Sequence, residues 1–190
     1  MLVKPHACSK AVIAHIVAKL KARGVTVMMQ AKVSGAQMDR KHFVDRHFAS
    51  QAKRAMITPP SQLPVPAQAA KIFAETFGEH WHEALKSPGI LNAVEAGARL
   101  KLSGEALGTA WQKASARGKM AQLARGFAVA LIDPADGLNG ALVDVDDADE
   151  AMRPVYVVNG YYRAMRARFL VPSSAVHYMV CLWDSHLRDM

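Results

Sequence analysis

The first seven residues, Met1-Leu2-Val3-Lys4-Pro5-His6-Ala7, restrict the possible folds of this chain more than any later stretch. Proline holds φ at about −65° and has no N–H to donate, so strand pairing over residues 1–4 must stop at Pro5. From Ser9 to Ala22, Val12, Ile13, Ile16, Val17 and Leu20 recur at helical spacing, which predicts strand, tight turn and helix. That order delivers Lys4 to the end of a sheet. There its ammonium can project toward an anionic ligand, or simply close the strand.

With 190 residues, 51% of them hydrophobic, the chain can build one folding unit with a core, enlarged by an insertion. Its two cysteines, Cys8 and Cys181, lie at opposite ends without metal-ligand spacing, and no signal-like segment precedes the first strand. We therefore expect a cytoplasmic protein. No apolar run approaches the roughly 20 residues of a membrane span. The formal net charge of +8 favours polyanionic partners without choosing among them. Nucleic acid is disfavoured, because no recognition helix, RNP-like segment or zinc module is visible. Lys113, Arg117 and Lys119 read as a solvated helix face. Arg163, Arg166 and Arg168 fall on one short helix.

Beyond the first helix, Gly24 supplies a C-terminal cap and Val25–Val33 favours a strand. Asp39 to about Met56 reads as a second helix, ended by Pro59-Pro60, and residues 57–66 form a stiff proline-rich connection. Helical, alanine-rich patterns then run from Ala67 to Ala116. They suggest a small helical cluster on the main sheet, with Phe73, Phe77, Trp81, Leu85 and Trp111 as its apolar content. Ala121–Ile132 and Val155–Asn159 read as two strands of a hairpin, joined by the glycine- and aspartate-rich stretch 133–154.

Several constellations fall short of a site. The two histidines of His80-Trp81-His82-Glu83 would point to different faces of a helix and have no third ligand at metal-binding spacing. The acidic run from Asp144 to Glu150 lacks the glycine and bidentate glutamate of a calcium loop. No glycine-rich phosphate cradle and no dinucleotide fingerprint occur. A bound nucleotide would have to be held some other way.

Four segments together suggest such a way: Lys4-Pro5, Gly24-Val-Thr-Val-Met-Met-Gln30, Val155-Tyr-Val-Val-Asn-Gly-Tyr-Tyr-Arg-Ala-Met-Arg-Ala-Arg-Phe169, and Ala175-Val-His-Tyr-Met-Val-Cys-Leu-Trp-Asp184. The chain resembles the nucleoside diphosphate kinase family, in its long form that carries an insertion. The resemblance implies that Lys4 contacts the transferring phosphate and that Tyr161 and Met165, one helical turn apart, clamp the base. Stacking on Tyr161 would contribute about 1–3 kcal/mol without reading the base edge. It also implies magnesium bound with the nucleotide. The partners implied are nucleoside di- or triphosphates, with a homo-oligomer possible and no membrane.

The chain departs from the family in two places. Where the family has a His-Tyr pair, this sequence has His47-Phe48, or His42-Phe43 in the other register, so Phe48 would line the phosphate end without a hydroxyl. The family's later arginines and its Asn-x-x-His-Gly/Ala-Ser segment, whose histidine accepts the phosphate, do not occur after Asp184. Without that nucleophile there is no covalent intermediate, so the resemblance assigns no catalytic residue here and implies an inactive chain. The alternative is a non-catalytic nucleotide-binding or protein-interaction module. The fold expected is α+β: a ferredoxin-like antiparallel sheet with strands at 1–4, 25–33 and 175–183, helices on one face, an incomplete C-terminus and a helical and hairpin insertion over 57–158. The first strand would then be an open edge, prone to self-association.

Overall fold

The computed structural model describes residues 1–86, 89–137, 153–171 and 173–183. It is a mixed α+β protein that divides into two compact units, one formed by Met1–Val44 with Arg168–Met190 and the other by Asp45–Ala167. The acidic run Asp144–Glu150 and Asp184 lie outside the described residues.

The first unit is built on an antiparallel three-stranded sheet in the order β1-β7-β2, with β1 at Leu2–Val3, β2 at Thr26–Ser34 and β7 at Ala175–Leu182. β1 lies at one edge. Pro5 opens a 3-10 turn over Pro5–Ala7, and Ser9 caps helix α1 (Lys10–Ala22) by accepting from the Val12 amide at 3.2 Å. Helix α2 (Gly35–Arg40) begins with a reciprocal capping box between Ser34 and Gln37. The buried apolar residues here are few: Val3, Met38, Val44, Val176 and Met179. α1 has no fully buried residue, so its apolar stripe is only partly covered.

The expected long second helix is broken. α2 stops at Arg40, α3 covers Phe43–His47 and α4 covers Ala49–Met56. His42 adopts a positive φ of 51°, which no helix accommodates, and Phe48 at φ −106° and ψ 36° starts the next segment.

The second unit has its own four-stranded sheet in the order β3-β6-β5-β4, with β3 at Ile90–Asn92, β4 at Met120–Ala124, β5 at Phe127–Ile132 and β6 at Val155–Val158. Two of its features correct the expectations above, and a third lies beyond them. Ala121–Ile132 is not one strand but the hairpin β4–β5, turned at Gly126 with φ 68°. β3, in a stretch read as helical, pairs in parallel with β6. And helices cover both faces of this sheet, because inward residues alternate: Ala128, Ala130, Ile132, Val155 and Val157 join one core, and Phe127, Val129, Tyr156 and Val158 join the other.

The helices of the middle region therefore pack on this sheet. Helix α5 (Ala67–Phe77) and α6 (Trp81–Ala84) contribute Phe73, Trp81 and Phe77 to the second core. Helices α7 (Ala93–Arg99) and α8 (Gly104–Ala116), with α9 (Tyr161–Leu170), build the first core around Trp111 and Tyr162. A Cβ on Gly108 would sit 2.3 Å from the Ala164 Cβ, so the close packing of α8 on α9 requires glycine there.

In the second core, the Tyr156 hydroxyl donates to Glu79 Oε2 at 3.0 Å. Burial first, and then this bond and the carboxylate's charge, push the Tyr156 phenol from 10.0 up to about 12. The group favours the folded state fully below pH 10. As pH rises from 10 to about 12 the unfolded chain gives up the proton while the folded one keeps it, so this contribution is lost. We expect Tyr156→Phe to flatten the fall of the urea midpoint across that window relative to the parent chain. Parallel curves for the two proteins would refute the assignment.

Candidate functional site

A groove of about 530 Å³ opens in the first unit between α1 and the face of its sheet. Ile13, Ala14, Val17 and Ala18 form its helical wall. They lie at i, i+4 pairs on one face, which is why they form a continuous aliphatic surface. From the sheet come Gln30 and Lys32 of β2 and His177 of β7. Lys32 and His177 are direct cross-strand partners, so their side chains emerge together on one face. Cys8 and Lys10 close the end at the start of α1, and Lys21 stands at the other.

Among the described residues the charges in this lining are all positive: three lysines and no carboxylate. A concave, low-dielectric surface of one sign concentrates field and attracts an anion. The size lies within the range of small-molecule sites, roughly 300–1,000 Å³. His177 is only 7% exposed. Its Nε2 lies 3.3 Å from Gln30 Oε1, and its Nδ1 is buried with no hydrogen-bond partner among the described residues. The Cys8 thiol donates to the backbone oxygens of Val3 at 3.3 Å and Lys4 at 3.4 Å.

The residues singled out in the sequence lie elsewhere. Lys4 is exposed in the first unit, directly past β1, and is not part of the groove lining. Phe48, Tyr161 and Met165 belong to the second unit, where all three pack, partly buried, against the core cluster around Trp111 and Tyr162. Phe48 meets the His47 ring edge-on at 4.6 Å, and Tyr161 meets Trp111 edge-on at 5.5 Å. Burial raises the Tyr161 phenol, against a smaller lowering by Arg54.

Arg166, one of the three arginines read on one short helix, is engaged with Asp45, its Nε donating to Oδ1 at 2.9 Å and its Nη2 to Oδ2 at 3.1 Å. The Tyr162 hydroxyl donates to the same carboxylate at 2.8 Å. Burial first, and then the bond to Asp45 and its charge, raise the Tyr162 phenol well above its ordinary value, against a lowering by Arg166. The basic group on α8 is also tied: Arg117 Nη1 donates to Asp136 Oδ2 at 2.7 Å and Lys113 Nζ to the Asp136 carbonyl at 2.8 Å. The rings of His80 and His82, expected on different faces, stack at 5.9 Å because His80 precedes α6 rather than lying within it.

Sequence reasoning missed the groove because its lysines are spread over 22 residues, with His177 far beyond them. A signal was present in the stripe of α1, flanked by Lys10 and Lys21. Among the described residues no three His, Cys, Asp or Glu side chains gather as a metal site, and no helix is long and apolar enough to cross a membrane. No protein-family model, curated protein or solved structure matches this chain.

Proposed function

We propose that this protein is a non-catalytic binding module that takes a small organic anion into the groove beside α1. The observation that carries this reading is the lining itself: Lys10, Lys21 and Lys32, with no carboxylate among its described residues. Nucleoside di- and triphosphates are the first ligands to test, because the nucleoside diphosphate kinase resemblance suggests them. Magnesium would accompany their phosphates. No residue of the groove is assigned a nucleophilic role, so no phosphoryl transfer is proposed.

Calorimetry with ADP and GDP should give binding tighter than about millimolar, weakening as salt is raised. Each of Lys10→Ala and Lys32→Ala should cost up to ~1 kcal/mol, about fivefold in Kd. Binding no tighter than millimolar for every anion tried would overturn the proposal. Loss of nucleotide binding in Tyr161→Ala, with both lysine variants unaffected, would instead move the site to the kinase-like slot.

A further inference from the structure

The groove's lining is more selective than its charge alone. Its long wall is aliphatic, Ile13 with Val17 and Ala14 with Ala18, and among the described residues no aromatic side chain apart from the His177 imidazole lines it. A nucleobase is held chiefly by stacking on an aromatic face, and the groove offers little of that. A saturated chain gains from every methylene removed from water, and the wall is suited to it. The wall is available because α1 buries none of its residues fully.

The cations are also placed along a line. Lys10 and Lys21 are separated by eleven residues of α1, about 16 Å along the axis at 1.5 Å per residue. At the Lys10 end, Lys32 and His177 lie side by side on the sheet, and the first turn of α1 carries no acidic residue to neutralise its amide groups. His177 supplies an independent sign that the groove is incomplete as it stands. A buried ring nitrogen without a partner is exceptional in a folded protein, and this one belongs to a residue of the lining.

Resting on the anion-binding reading above, we propose that the ligand is a single-chain aliphatic carboxylate of medium length. Its carboxylate lies at the end formed by Lys10 and Lys32, and its chain runs along Ile13, Ala14, Val17 and Ala18. Lys21 closes the far end with the methylenes of its stem and keeps its ammonium in water.

The test is calorimetry on the full chain with hexanoate, octanoate and decanoate, each kept below its micelle concentration, beside ADP and anionic phospholipid vesicles. Affinity should rise by about fourfold per added methylene at most, and decanoate should bind more tightly than ADP. Val17→Asp should abolish that rise. Ala18→Leu, which fills the wall without adding charge, should weaken decanoate more than hexanoate and keeps the test decisive if Val17→Asp does not fold. Val180→Lys, on the opposite face of the sheet by strand alternation, should leave the series unchanged.

A flat series with ADP still bound would overturn this inference and leave the anion-binding proposal standing. Silence from every anion would overturn both. Binding to vesicles alone, or a series unaffected by both groove variants, would also overturn the inference.

Discussion

Asn159→Ala should destabilise the second unit by about 3–5 kcal/mol, followed as the shift of its denaturation midpoint. The residue is fully buried and turns the chain from β6 into α9. Its Oδ1 accepts from the Ala128 amide at 2.9 Å, and its Nδ2 donates to the Gly126 oxygen at 3.1 Å. Alanine would leave the buried Ala128 amide without its partner, at about 1–3 kcal/mol, while the part-buried Gly126 oxygen keeps Arg54 Nη1 at 3.4 Å. The alanine would also have to adopt φ 48°, which asparagine tolerates better than alanine. Tryptophan fluorescence reports this unit well, since Trp81 and Trp111 both lie in it. Asn159→Gly should recover about 1 kcal/mol relative to alanine by relieving the backbone. A loss below about 1 kcal/mol for Asn159→Ala would show that the neighbouring groups find other partners.

Phe73→Ala should cost a similar ~3–5 kcal/mol. The ring is fully buried, with its centroid 4.8 Å from that of Phe77 and 5.2 Å from those of Trp81 and Tyr156. Removing it takes one partner from each of three aromatic contacts and opens a cavity in a core that cannot readily collapse. Phe73→Leu should cost less, roughly 1.5 kcal/mol or under, because it keeps most of the volume. Water admitted by the alanine variant should lower the Tyr156 phenol from about 12 back toward 10.0, seen by ultraviolet titration of the phenol. An unchanged titration together with a large stability loss would separate the packing effect from the burial that raises the phenol.

Lys10, Lys21 and Lys32 are the residues through which the proposed function is most directly tested, yet none of them stands out in the chain. The lysine that does stand out, Lys4, is set by the rigid Lys-Pro turn and is exposed beyond β1. Position in a motif and membership of a cavity are separate properties. The first follows from local backbone rules, and the second follows from which strands pair.

Local chemistry was legible throughout. The Lys-Pro turn, the stripe of α1, and the strands within 25–33, 155–159 and 175–183 all follow from rules acting within a few residues, as does the α+β class. What was missed was in part local and in part set by neighbours distant in the chain. His42 broke the expected second helix by taking a left-handed φ. Gly126 made a hairpin from what reads as one long strand, because a two-residue turn is a small signal inside a continuous apolar run. The two-sided burial of β5 and β6 reads in sequence only as apolar residues. It took helices on both faces to make both sets of alternate side chains into cores. The pairing of Arg166 with Asp45 was not legible in the chain, because folding brings them together across 121 positions. The groove was hidden for the same reason: pairing of β2 with β7 sets Lys32 beside His177 across 145 positions, and an amphipathic pattern states which side of α1 is apolar without stating how much of it the sheet will cover.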